Sequence, residues 1–167
     1  MTRDEIRSLT AEQLDDFAER EAGRLLYHAH DLLTSEQIDY CAERCPNFAL
    51  KYVAKKLTSE RLDCCVERWP DLALKYASAL LTPERLDYCA EGYSDFALCY
   101  ASALLTPERL DYCAEQRPDL ALKYASALLT PARRAWCEEL ANSRASTACD
   151  SPPPFRLRKF PSRPLAR

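Results

Sequence analysis

A period of 24 residues runs through this chain: Leu-Thr recurs at Leu9, Leu33, Leu57, Leu81, Leu105 and Leu129, giving five full units and the start of a sixth. The run YASALLTPERLDYCAE stands at Tyr76 to Glu91 and again, unchanged, at Tyr100 to Glu115. A fixed period of this length marks a stacked array, because so short a unit can bury its apolar face only against its neighbours. The expected fold is therefore all-α, a solenoid of tandem two-helix units over residues 1–145, followed by a Pro/Arg-rich tail over residues 146–167. Function is then expected on an extended surface rather than in a pocket.

Each unit spells helix, corner, helix, corner. In the fourth, Thr82 suits an N-cap, Pro83 the first helical position, where its missing N–H costs nothing, and Glu84 the first turn, where it complements the dipole. Leu86, Cys89 and Ala90 fall at i, i+3 and i+4, so the first helix carries one apolar stripe and runs to about Glu91, before a turn at Gly92 to Asp95. The second helix is clearest in the third unit, where Pro70 and Asp71 supply the start. There Ala73, Tyr76, Ala77 and Leu80 share an apolar face flanked by Leu72 and Leu74. The next Leu-Thr-Pro follows at once, so the chain turns sharply without a loop. Pattern alone leaves open whether this second segment is α throughout or partly 3₁₀.

The unit from Leu105 to Leu128, LTPERLDYCAEQRPDLALKYASAL, resembles the leucine-rich repeat variant, a 24-residue helical repeat. Leu105, Pro107, Glu108, Leu110, Ala114, Glu115, Pro118 and Ala121 match its order, and the likeness spans roughly Leu9 to Glu139. The resemblance implies a short, curved, right-handed superhelix of alternating α and 3₁₀ helices, although the longer, Ala- and Tyr-rich second segment here favours α-helix. Some members of that family carry an iron–sulfur cluster on N-terminal cysteines; in this chain no cysteine precedes Cys41, and no cofactor is expected. Such repeats host unrelated binding roles, so the likeness speaks to fold far more than to function.

Opposite the core stripe of the first helix, Glu84, Asp87 and Glu91 are spaced i, i+3 and i+7. The trio recurs as Glu12, Asp15, Glu19; Glu36, Asp39, Glu43; Glu60, Asp63, Glu67; and Glu108, Asp111, Glu115, which makes 15 of the 26 carboxylates in the chain. Like charges along a helix and across helices about 8–10 Å apart repel modestly, so replacing the central trios by Gln and Asn is expected to leave stability unchanged or slightly raised. Arg61, Arg85 and Arg109 lie to one side and are placed to relieve part of the repulsion. A duplicated unit duplicates its solvated face, and that alone accounts for such a stripe. The sharper reading is a surface that engages a basic partner, with strong, salt-sensitive steering. Its candidate binding residues are Glu36, Asp39, Glu43, Glu60, Asp63, Glu67, Glu84, Asp87, Glu91, Glu108, Asp111 and Glu115. Tyr88 and Tyr112 border the stripe, as interface anchors or as half-buried packing residues. A second aromatic ladder, Tyr52, Tyr76, Tyr100 and Tyr124, is expected in the core with its hydroxyls at an edge.

Several classes of function are disfavoured. Five of the nine cysteines, Cys41, Cys65, Cys89, Cys113 and Cys137, share one repeat position. Stacked helices hold such positions about 8–10 Å apart, too far for a disulfide, so free buried thiols in a reducing cytoplasm are expected. Cys41 and Cys45 lie near His28 and His30, but Cys41 belongs to the core ladder, and no metal is expected. Two glycines leave no phosphate-cradling loop and no catalytic order stands out, so no enzyme is expected. The first 20 residues are charged throughout and no apolar run approaches membrane-spanning length, which argues against a signal peptide and a membrane partner.

Residues 1–132 hold 15 basic and 23 acidic side chains, a net of −8, so direct nucleic-acid binding by the repeat body is not expected. Arg133 to Arg167 carries a net of +5 from eight basic and three acidic residues; its Pro/Arg-rich end is expected first of all to be a disordered terminus, the other readings being docking on the acidic stripe, an acidic partner, or Pro161-Ser162-Arg163-Pro164 as a PxxP ligand. The expected function is a non-catalytic scaffold or adaptor that recognises the basic surface of another protein through the acidic first-helix face. The alternative is a phage-type inhibitor that mimics nucleic acid and blocks the basic groove of a nucleic-acid-binding defence protein.

Overall fold

The computed structural model describes residues 3–147; the tail from 148 onward, with its basic residues and PxxP run, lies outside them. Among the described residues the chain is all-α and consecutive helices pack on one another. After a short α1 (Arg3–Arg7) come α2 (Ala11–His28), α3 (Ser35–Arg44), α4 (Pro46–Tyr52), α5 (Ser59–Arg68), α6 (Pro70–Tyr76), α7 (Pro83–Gly92), α8 (Ser94–Phe96), α9 (Pro107–Gln116), α10 (Pro118–Tyr124) and α11 (Pro131–Thr147). A π turn, Ala97–Ala101, continues α8, and 3₁₀ turns Ala54–Lys56, Ser78–Leu80 and Ser102–Leu104 close three of the units.

Threonine starts each first helix. Thr10, Thr34, Thr58, Thr82 and Thr106 are extended, with ψ between 155 and 165°, and each side-chain oxygen accepts from the backbone N–H three residues on. That satisfies one of the donors a helix start leaves over. Gln13 and Gln37 complete reciprocal capping boxes with Thr10 and Thr34.

Proline dictates the first corner. The residue before a proline is driven out of α geometry, and proline itself suits the first position of the next helix. Cys45 and Trp69, ahead of Pro46 and Pro70, accordingly adopt φ −132 and −140° with ψ 62 and 63°. Arg117, ahead of Pro118, does the same with φ −136° and ψ 70°. In the fourth unit Ser94 replaces proline, and Tyr93 still bends, with φ −135° and ψ 55°. The buried Ser94 hydroxyl donates to the Ala90 carbonyl at 3.0 Å. Within α2 the same break falls at Glu21, φ −136° and ψ 38°, so α2 is a first and a second helix meeting at a corner.

A second bend at Val53, Ala77, Ala101 and Ala125, with φ from −127 to −133° and ψ from 7 to 15°, separates the α part of each second segment from its remainder. The segment is thus α first, passing through a π turn in the fourth unit, and ends in 3₁₀ in three units, so the preference for α-helix drawn from its Ala- and Tyr-rich composition holds only for its first part. This bend also corrects the expected core. Leu80 lies beyond Ala77, off the helical stripe, and is exposed together with Tyr76, Tyr100 and Tyr124. The residues turned inward are Pro70, Ala73, Leu74 and Ala77, and Leu74 is completely buried rather than flanking. The first helices bury the stripe read from sequence: Leu62, Cys65 and Val66; Leu86, Cys89 and Ala90; Leu110, Cys113 and Ala114. Burying each such leucine contributes about 1.5–3 kcal/mol.

First helices pack on first helices, α3 on α5, α7 on α9 and α9 on α11, while α4 packs on α6, α6 on the π turn and the π turn on α10. The two rows share one apolar cluster. In α11 no bend interrupts the helix where the earlier units turn. No helix of the described residues is long and apolar enough to cross a membrane.

Candidate interaction surfaces

The first-helix face is built of rungs. Asp63 pairs with Arg85, Asp87 with Arg109 at 3.3 Å, and Asp111 with Arg133 at 3.0 Å, each arginine standing 22 residues after its aspartate, on the next first helix. Asp15 meets Gln37 at the same offset, its carboxylate accepting from the side-chain amide at 2.6 Å. Asp39 accepts instead from the Thr58 hydroxyl at 2.8 Å, and Arg61 reaches Glu43 at 3.5 Å. The middle carboxylate of each trio is therefore bonded to the next unit, and all but the exposed Asp15 are half-buried. The expectation that neutralising it leaves stability unchanged or raises it is corrected accordingly.

The outer carboxylates differ. Glu36, Glu60, Glu84 and Glu108 form one exposed row, and Glu43, Glu67, Glu91 and Glu115 another, on either side of the rungs. Glu43 and Glu115 touch Arg61 and Arg133 respectively. Hydrogen bonds from its own backbone N–H and from Thr82 hold the Glu84 carboxyl below the usual range. Of the two candidate anchors, Tyr88 is exposed, while Tyr112 is half-buried under the Arg109 guanidinium, 5.3 Å from ring centroid to Cζ. The Tyr112 hydroxyl also reaches the Glu91 carbonyl at 3.5 Å. Arg133 stacks likewise over Trp136 at 5.0 Å. The sequence signal for these ties is a recurrent Arg or Gln one unit less two residues downstream of each middle aspartate.

The second helices present a face of another character, which sequence reasoning placed in the core. Tyr76, Tyr100 and Tyr124 are exposed, as are Leu80, Leu104 and Leu128. Lys51 lies over Tyr52 at 4.9 Å, Lys123 over Tyr124 at 4.9 Å, and Lys75 between Tyr76 and Tyr100 at 5.2 and 5.5 Å. These are cation–π distances. The signal was present in the heptapeptide PDLALKY: counted from the buried proline, the helical period turns Ala73 and Ala121 inward, leaves Leu72, Leu120 and Leu122 half-buried against the core, and sends Lys75, Tyr76, Lys123 and Tyr124 outside.

The cysteine ladder is fully inside, and the eight cysteines of the described residues are free thiols. Burial pushes the Cys41 and Cys65 thiols up to about 11 and that of Cys89 to about 12. Near neutral pH such thiols stay protonated, and burial shelters them from reagents in solution. Beside Gly23 a shallow depression of about 300 Å³ opens between Arg20, Arg24, Tyr27 and Phe48, with no convergent acid–base pair. Comparison with family models, curated proteins and solved structures yields no match to this chain.

Proposed function

We propose that this chain is a non-catalytic protein-binding scaffold, a right-handed α-solenoid of tandem 24-residue units of the leucine-rich repeat variant kind, that recognises the basic surface of another protein through its first-helix face. The observation that supports this reading is the pair of exposed glutamate rows flanking the Asp–Arg rungs. The rungs neutralise the middle carboxylate and fix the helices, while the rows keep a net charge of about −2 per unit on a preorganised face. The same rungs weigh against the alternative of a nucleic-acid mimic, since cations interrupt the carboxylate field along its centre. Free thiols suit a reducing cytoplasm.

The test neutralises the outer rows alone, by Glu84→Gln, Glu91→Gln, Glu108→Gln and Glu115→Gln, and compares parent and variant for binding to the partner captured on the parent from its native host. Association should slow and most of the salt dependence should vanish. Undiminished binding by the variant at low salt overturns the reading.

A further inference from the structure

The outward side of the second helices is self-complementary. In α6 it reads Asp71 and Leu72, both half-buried, in the first turn, the exposed Lys75 and Tyr76 in the last, then the exposed Leu80 past the bend. The first position is acidic or amide, the second Leu or Phe and the last aromatic in each of the four units from Pro46 to Leu128. Laid antiparallel against a second such helix, the acid of one meets the lysine of the other and the leucine of one meets the tyrosine of the other. Opposed helix dipoles favour the same orientation.

We propose that this side is the contact between two copies of the chain, related by a twofold axis along the row of second helices. A twofold interface uses the same patch on both partners, residue i meeting j and j meeting i, and the Asp71/Lys75 and Leu72/Tyr76 pairs satisfy that condition. Exposed tyrosine and leucine recur over three units, Tyr76 with Leu80, Tyr100 with Leu104 and Tyr124 with Leu128, a strip of a kind that lone chains seldom leave uncovered. A stable interface buries roughly 800 Å² per partner, an extent that one seven-residue helix cannot supply and a row of four approaches. Charge pairing falls chiefly to Asp71 and Lys75, since Asp95 and Asp119 already share Arg117 and Cys99 stands at the lysine position of its unit. The dimer leaves both acidic first-helix faces outward, so it is independent of the scaffold reading.

Sedimentation equilibrium of the full chain from micromolar to several hundred micromolar tests it. The weight-average mass should rise from 19.1 kDa and level off at two chains. Tyr100→Glu with Leu104→Glu, both side chains exposed, should weaken association by at least about tenfold with the helical circular dichroism retained. Lys75→Glu should weaken it less, and adding Asp71→Lys should recover part of the loss; this pair decides the matter should the double variant misfold. A parent that stays monomeric, a mass that climbs past two chains, or a dimer indifferent to both sets of substitutions overturns the proposal.

Discussion

Arg109 holds its Nε 3.3 Å from Oδ1 of Asp87, an aspartate of the preceding unit, while its guanidinium lies over the ring of Tyr112 on its own helix. One side chain thus ties two units and shields part of an aromatic ring.

Removing the aspartate should therefore cost stability where removing a neighbouring glutamate does not. Asp87→Asn and Asp111→Asn are each expected to lower stability by up to about 1 kcal/mol, the range for partly exposed pairs, whereas Glu91→Gln, at an exposed position in the last turn of α7, should be neutral. Thermal melts at low and high salt check this, the aspartate effect shrinking as salt rises.

The corrected core predicts a contrast between two leucines of one segment. Leu74→Ala removes a completely buried side chain and should cost about 2–5 kcal/mol. Leu80→Ala removes an exposed one and should stay within about 0.5 kcal/mol in the monomer. Denaturant titration at fixed low concentration distinguishes them; equal losses would restore the single stripe expected from sequence.

The buried thiols set an alkaline limit. Cys89 titrates near 12 in the fold, against an ordinary value of 9.0, so above pH 9 the unfolded chain gives up a proton that the folded chain keeps. The stabilisation is complete below pH 9 and is lost as pH rises toward 12. Cys41 and Cys65, near 11, act in the same direction over a narrower window. Melting temperature should fall progressively across this window. At pH 8 a thiol reagent should modify exposed Cys64 rapidly and leave Cys65, its neighbour, unmodified until the chain unfolds.

Leu86→Asp places a charge in the sheltered stripe of α7 and should cost several kcal/mol, enough to abolish a cooperative melt. A normal melt would contradict the packing of the first helices.

Much of the fold was legible because local chemistry decided it. Thr82 and Pro83 announce a helix start, Trp69 before Pro70 announces a bend, and Leu86, Cys89 and Ala90 announce an inward stripe, each within a few residues of sequence. The orientation of Leu80 was not legible in that way, since it lies beyond a bend at Ala77 that no proline or glycine marks. Nor was the Asp87–Arg109 tie, whose offset of 22 residues becomes a contact only once neighbouring units are stacked.

The bends at Glu21, Cys45, Trp69, Tyr93 and Arg117 all lie at negative φ, open to any ordinary residue, and none uses glycine. Five units accordingly place five different side chains there. A site that constrains shape without constraining identity is where near-identical copies can diverge: the buried lattice stays common property, and each corner becomes a label that distinguishes its unit from the rest.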